Sequence, residues 1–295
     1  MNAHEPKFRR QKFLLAFLEL AGGCLSKLDF QKLLFLYHQK RSASFYEFIP
    51  YLYGCYSFQA NADLESLDRQ QWLKVSENDI QLLKKPVTFR ENRNDIKTFL
   101  TAYSDLRGND LIKSVYRSYP YYTINSIISK KILSRLELDM IRAERERLAE
   151  TAPKLFTLGY EGISFESYLN ILIKNNIKLL CDVRNNPLSR KFGFSKNMLA
   201  TILPKLDIAY AHIPELGIVS AKRKQLKGPI SYQSLFTEYE NELPEKHTYV
   251  VKVVELLREH RRIALTCFEK DPHFCHRSIL GRFITENYSI PVFDL

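Results

Sequence analysis

The sequence predicts an α/β domain with a mostly parallel sheet covered by helices on both faces, preceded by a mainly helical, winged-helix-like domain. Three observations carry this. Short apolar runs ending in polar clusters alternate with helical patterns beyond residue 153. Apolar positions at helical spacing dominate the first third. Between them Ser134 to Glu150 is a charge-laced helical stretch, stopped by Thr151-Ala152-Pro153. The division expected is a helical domain over 1–125, a helical connector over 126–153 and the α/β domain over 154–295.

In the last of these the strand-like runs are Leu155 to Leu158, Ile177 to Val183, Leu206 to Tyr210 and Arg262 to Thr266. Helical patterns separate them at Phe165 to Lys174, Ser195 to Leu203, Tyr232 to Leu243 and Thr248 to Arg258, and a last helix runs from Ser278 to Glu286. Runs of buried-strand length alternating with helices argue for a parallel sheet. In the N-terminal part Lys12 to Leu20 and Lys27 to Gln39 read as helices, with Gly22-Gly23 breaking the first and Ser26 capping the second. Phe48 to Phe58 reads as extended pieces, and Asn61 to Leu67 as a further helix before Trp72-Leu73.

Composition excludes several classes. With 295 residues, 45% of them hydrophobic, the chain is long enough for two buried cores and is globular rather than disordered. It has no run of eighteen apolar residues, and Met1 to Lys12 is polar and basic, so neither a membrane span nor a secretion signal is expected. Five irregularly spaced cysteines argue against a disulfide framework and for a reducing cytoplasm. The formal charge is +11, with 24 basic and 18 acidic residues over 1–150 and 20 and 15 over 151–295. An excess spread so evenly favours polyanions such as nucleic acid, DNA ahead of RNA, and equally fits a mildly basic protein with no such partner.

In a parallel sheet, ligands sit beyond the carboxyl ends of the strands. Each strand-like run here ends in polar groups: Gly159-Tyr160-Glu161, Asp182-Val183-Arg184-Asn185, His212-Ile213-Pro214-Glu215 and Cys267-Phe268-Glu269, the last followed by Cys275-His276-Arg277. Asp182 and Glu269 are the candidate acid/base carboxylates, although Asp182 fits equally as an arginine's partner. Arg184, Ser189, Arg190 and Lys191 form a basic loop suited to phosphate oxygens, or merely a solvated one. Tyr160, beside Glu161, is placed to stack on a base or to close the sheet edge. His212 is a candidate proton carrier or a hydrogen-bonded edge residue, and Glu215 faces the same rim. Lys222, Arg223, Lys224 and Lys227 lie in a loop with the means to close over a polyanion. Cys275 at a helix N-terminus is a candidate nucleophile with thiolate character, beside His276 and with Arg277 as a phosphate clamp. Cys267 reads as a substrate-side group or as small core filler.

Two sharper readings fail on spacing. An arginine six residues after a nucleophilic cysteine, as in rhodaneses and Cys-dependent phosphatases, is missing: that position is His273, and Arg277 is ten residues away. A zinc site from Cys267, His273, Cys275 and His276 fits by residue type but lacks paired Cys-x-x-Cys spacing, so no metal is expected. P-loop, dinucleotide-binding and metalloprotease motifs are absent, and no cofactor is expected.

The four polar segments, Thr157 to Gly162, Leu180 to Arg190, Tyr210 to Gly217 and Cys267 to Arg277, resemble the "domain of unknown function 488" family over about Lys154 to Leu295. That resemblance implies a link to DNA repair and no established mechanism. Leu28 to Leu36, Phe48 to Ser57 with Cys55 at the usual proline position, and Asp63, Leu64 and Leu67 resemble the Panacea (SocA-like) antitoxin family. It implies a module that binds protein or nucleic acid without catalysis. The first expectation is an enzyme, a DNA glycosylase or other nucleic-acid hydrolase in DNA repair or phage defence. The competing one is a non-catalytic nucleotide- or DNA-binding sensor or antitoxin-like adaptor.

Overall fold

The computed structural model describes residues 5–40, 45–84, 89, 91–219, 222 and 229–295, without the side chains of 229–232. The chain forms two compact units, residues 1–146 and 147–295. No helix among the described residues is long and apolar enough to cross a membrane.

The N-terminal unit begins with α1 (Arg9–Leu20), β1 (Cys24–Ser26) and α2 (Lys27–Gln39). Ser26 caps α2 by accepting the Asp29 backbone N–H at 3.0 Å. A hairpin of β2 (Ile49–Tyr51) and β3 (Gly54–Tyr56) leads to α3 (Phe58–Arg69), capped by Ser57, and then to the hairpin β4 (Leu73–Val75) and β5 (Asp79–Leu82). β1 pairs antiparallel with β5, giving the sheet order β1-β5-β4, so the strand between the first two helices joins the hairpin after the third. That is the winged-helix arrangement, with β2–β3 inserted before its third helix. Helices α4 (Arg93–Ala102), α5 (Gly108–Ser118), the short α6 (Ser129–Ile132) and α7 (Arg135–Leu148) follow. α7 belongs with this unit for most of its length: Ile141 is buried and Arg145 donates to the Ile124 carbonyl.

In the C-terminal unit five strands form one parallel sheet in the order β10-β6-β9-β7-β8. They are β6 (Lys154–Gly159), β7 (Leu179–Asp182), β8 (Ala209–His212), β9 (Arg262–Cys267) and β10 (Val292–Asp294). The helices are α8 (Phe165–Lys174), α9 (Lys196–Ile202), α10 (Pro229–Glu242), α11 (His247–His260) and α12 (His276–Tyr288). Alternate strand residues divide between the faces. Leu155, Leu179, Cys181, Ile263 and Leu265 pack with residues of α10, α11 and α12, among them Tyr239, Val253 and Leu280. On the opposite face the Tyr168 hydroxyl of α8 donates to Thr266 Oγ1 at 2.7 Å.

The third strand begins later than the expected Leu206, because Leu203–Leu206 continue from α9 as a 3-10 turn ending at a left-handed Asp207. β10 was not expected, since Val292-Phe293-Asp294 is too short to show alternation.

The strand order fixes where a ligand site falls. From β6 the chain passes through α8 to β7 and through α9 to β8. It then turns back through α10 and α11 to β9, between β6 and β7, and through α12 to β10, on the far side of β6. Right-handed crossovers running in opposite directions put their helices on opposite faces. The outgoing loops of the adjacent strands β6 and β9 therefore part to opposite sides, which makes a crevice at their carboxyl ends.

Buried His38 in α2 bears on the N-terminal unit's stability. Its Nδ1 donates to the Leu34 carbonyl at 2.8 Å while Nε2 is buried with no hydrogen-bond partner, and burial lowers its pKa from 6.5 to about 4. The folded state resists protonation and the unfolded chain does not, so stability is complete above pH 6.5 and is lost as pH falls toward 4. The loss expected is about 3 kcal/mol. The chain's single tryptophan, Trp72, lies in this unit and reports its unfolding. Denaturation followed by Trp72 fluorescence at pH 7 and pH 4 should show that loss, and His38→Phe should flatten it.

Candidate functional site

A cleft of 340 Å³ opens at the crevice. Its lining comes from the ends of three strands: Tyr160 after β6, Arg184 to Lys191 except Pro187 after β7, and Cys267 and Phe268 at the end of β9, with Ile218 completing it. Residues more than a hundred positions apart meet there because the three strands are neighbours in register, with Leu158 opposite Thr266 and Thr266 opposite Asp182.

The β7 end is built around Asp182, which is 0% exposed. Its Oδ1 accepts the Arg184 backbone N–H at 3.1 Å and Nε–H at 2.8 Å. Its Oδ2 accepts Arg184 Nη2 at 2.5 Å and the Tyr210 hydroxyl of β8 at 2.7 Å. Four donors saturate the carboxylate's acceptor sites. Asp182 is thus no acid or base for a ligand, and of the two roles open to it the structure selects the arginine partner.

Arg184 is pinned at both ends of its guanidinium, since Nη1 also donates to the Tyr160 hydroxyl and the Phe194 carbonyl, each at 2.8 Å. Burial works against this charge, and the hydrogen bond and negative charge of Asp182 outweigh it, so the Arg184 pKa is raised. Tyr210 is pushed up by burial and by the same carboxylate. The cleft wall therefore carries a permanent cation in a fixed orientation.

Arg190 and Lys191 add two more cations to the lining, and no carboxylate is among its described residues. Lys191 Nζ donates to the Tyr160 carbonyl at 2.6 Å, and its backbone N–H donates to Ser189 Oγ at 3.2 Å. Burial lowers the Lys191 pKa, with Glu161 acting in the other direction. Tyr160, 4% exposed, is stacked on Phe194 with centroids 4.2 Å apart. That face is closed to a base, so Tyr160 is a wall rather than a stacking platform. The exposed apolar groups of the lining are instead Phe268, 41% exposed, and Leu188, 83% exposed. Neither was singled out beforehand. Phe268 carried a visible signal, an aromatic placed between two polar residues directly after a buried strand.

Several expected site residues do other work. His212 donates from Nε2 to the Arg184 carbonyl at 2.9 Å. Lys196 Nζ, which can only donate, lies 3.1 Å from His212 Nδ1, so both ring nitrogens are engaged and the ring braces the loop. Glu215 is exposed on the 3-10 turn Pro214–Leu216, outside the lining. Glu161 accepts the Lys270 backbone N–H at 3.1 Å. Lys222 pairs with Glu238 and Glu242 of α10, each at 2.6 Å, away from the cleft. Arg223, Lys224 and Lys227 lie outside the described residues.

The β9 end runs into a loop held by buried Arg277. Its Nη1 donates to the Glu269 carbonyl, Nη2 to the Lys270 carbonyl at 2.9 Å and Nε to Thr157 Oγ1 at 3.2 Å. Arg277 is 1% exposed and does not line the cleft, so it is no phosphate clamp. The loop also presses on β6, where a Cβ at Gly159 would sit 1.8 Å from the Glu269 carbonyl oxygen.

Within this frame Cys267, Cys275 and His276 are all buried. His276 Nε2 lies 3.1 Å from the Val183 carbonyl and must donate to it, which leaves Nδ1 as an acceptor 3.7 Å from Cys267 Sγ and 3.8 Å from Cys275 Sγ. Cys267 Sγ also lies 3.1 Å from Glu269 Oε2. The expectation of a thiolate at Cys275 is corrected. Burial first, then the Cys267 hydrogen bond and the nearby negative groups, raise its pKa well above the ordinary thiol value, and the positive charge of Arg277 does not offset them. Glu269 is half-buried beside the sulfur and is not in the cleft lining, so the expected pair of carboxylates facing one cavity is not assembled.

A larger cavity, 680 Å³, lies in the N-terminal unit around β2, β3 and the start of α2. The ammonium of its buried Lys32 is held by the Tyr53 and Cys55 carbonyls at 2.6 and 3.2 Å, and its lining of Lys27, Lys32, Cys55 and Glu77 carries two cations and a carboxylate where the smaller cleft carries three cations and none. The chemistry-bearing groups are at the smaller cleft.

If Asp182 supports Arg184 as described, Asp182→Asn should destabilise the C-terminal unit by about 3 kcal/mol, because it strands a buried cation. Tyr210→Phe, which removes one hydrogen bond, should cost about 1 kcal/mol. Chemical denaturation followed by circular dichroism checks both the size and the order.

No curated protein and no solved structure matches the chain. Residues 164–284 match the family model described as "Domain of unknown function DUF488"; the matched stretch runs from Ser164, which caps α8, into α12 and excludes the residues that carry the Panacea resemblance. Over that stretch, which holds the β7 and β9 ends of the cleft, the chain is similar to this family.

Proposed function

We propose that the C-terminal unit takes the phosphates of a nucleotide or nucleic-acid strand into the cleft between β6, β7 and β9, and that the protein acts on a phosphodiester bond there. The supporting observation is the charge of the lining: Arg184, Arg190 and Lys191 with no described carboxylate, and an exposed Phe268 beside them. Clustered cations with one accessible aromatic suit a phosphate backbone and the face of a base or sugar. Phosphodiester chemistry is favoured over N-glycosidic cleavage because glycosidic cleavage draws on carboxylates at the reacting sugar. Asp182 is saturated and Glu269 lies outside the lining. Cys267 in the cleft lining, 3.7 Å from the His276 imidazole, is the reactive group nearest the ligand.

A second reading, a binding-only sensor, has its own support in the same lining, which holds cations and amides but no free acid/base pair. The N-terminal unit fits either reading as a partner-binding module, through the winged-helix arrangement and the Panacea resemblance, and the five free thiols suit a reducing cytoplasm.

Binding of short single-stranded DNA and RNA, measured by fluorescence anisotropy across a salt series, tests the reading. Arg190→Ala and Lys191→Ala should each weaken binding and reduce the slope of log affinity against log salt by about 0.7. The control Lys205→Ala, on the turn after α9, should leave both unchanged. Binding indifferent to salt and to both cleft variants would contradict the proposal. Shortened strands in the same incubations would separate the enzyme from the sensor.

A further inference from the structure

Cys267 ends β9, Cys275 caps α12 and His276 is the first residue of that helix, so a strand end and a helix start bring two thiols and an imidazole together. Their ligand atoms all lie within 4.8 Å of one another. A tetrahedral zinc ion with bonds of about 2.3 Å to sulfur and about 2.0–2.1 Å to nitrogen holds its sulfur and nitrogen ligands about 3.6 Å apart. The two sulfur–nitrogen distances here are 3.7 and 3.8 Å. The His276 tautomer is already the one a metal needs. Nε2 donates to the Val183 carbonyl, the outer-shell partner that metal-bound histidines ordinarily have, and the Nδ1 lone pair points at the sulfurs. Two thiolates also neutralise a divalent cation, which meets the cost of burying charge.

We propose that Cys267, Cys275 and His276 bind one zinc ion, with the fourth coordination position left to water or to a ligand in the cleft. His273, a ligand candidate by residue type, is exposed and takes no part. Glu269 accepts a hydrogen bond from the Cys267 thiol at 3.1 Å and lies outside the mutually close set, so it is placed to take the proton that Cys267 loses when it binds the metal rather than to be a ligand. The frame is rigid without metal: Arg277 grips the Glu269 and Lys270 carbonyls, and the Ser278 hydroxyl lies 2.6 Å from the Pro272 carbonyl and 2.9 Å from that of Cys275. Of the three ligands Cys267 also lines the cleft, so the metal site adjoins it. Three protein ligands and one open position are the pattern of catalytic rather than structural zinc. The assignment rests on these ligand atoms alone and stands or falls apart from the phosphate reading.

The experiment is elemental analysis of the full chain purified under thiol reductant from zinc-supplemented culture, with cobalt(II) replacement of the bound metal. About one zinc per chain is expected, and the cobalt form should show sulfur-to-metal charge-transfer absorption with tetrahedral visible bands. Cys275→Ser and His276→Gln should each bring zinc to background, while Cys24→Ser, at the exposed cysteine of β1, should retain it. The cobalt spectrum needs only the unsubstituted chain, so it decides the matter even if a variant fails to fold. A chain without zinc after reconstitution, with Cys267 and Cys275 recovered as free thiols or as a disulfide, overturns the proposal, as does zinc retained in both ligand variants.

Discussion

The buried ion pair between Asp182 and Arg184 is the contact on which the cleft depends. A carboxylate at a strand end, with no water to solvate it, must find its donors in the protein, and this one finds four. Three come from Arg184, two residues on, so the pair is nearly self-contained and re-aims the chain as it leaves β7. The fourth, from Tyr210, ties β7 to β8. The remaining guanidinium donors reach the Tyr160 hydroxyl and the Phe194 carbonyl, and Phe194 stacks on Tyr160. One ion pair thus ties together two of the three strand ends that line the cleft, those of β6 and β7, and Asp182 keeps its arginine charged.

The β9 side obeys the same economy with a second buried arginine. Arg277 satisfies the carbonyls of the loop between β9 and α12 and reaches across to Thr157 on β6, and Gly159 makes room for the loop's close approach. The loop is consequently held at both ends, with Cys267 before it and Cys275 and His276 after it. The two arginines look alike in sequence, each in a polar cluster after an apolar strand. Both turn every guanidinium nitrogen to protein oxygens, and what separates them is place: Arg184 lines the cleft and Arg277 does not.

Much of the α/β architecture was legible because buried parallel strands and their helices leave strong periodic signals. Phe165 to Lys174 begins and ends as expected, and Lys27 to Gln39 does so as well, with Ser26 as its cap. β10 was not legible, since three residues carry no alternation and its place beside β6 depends on a long-range pairing. The rim of the site was legible in kind: polar groups after strands do converge. Which of them face the ligand was not, because that depends on side-chain direction and on who donates to whom. Asp182 and His212 have the chemistry of catalysts, and their hydrogen bonds make them braces. The thiol–imidazole cluster has no paired Cys-x-x-Cys spacing to mark it in the sequence, yet a strand end and a helix start supply the proximity that such spacing usually signals.

The central claim is that Arg184, fixed by Asp182, meets an anion at the mouth of the parallel sheet while Arg277 does not. Guanidinium carbon NMR of arginine-labelled protein, titrated with a short oligonucleotide and assigned with Arg184→Lys and Arg277→Lys, tests it most directly. The account predicts a saturating shift of the Arg184 signal and a stationary Arg277 signal. A moving Arg277 signal with Arg184 unaffected would contradict it.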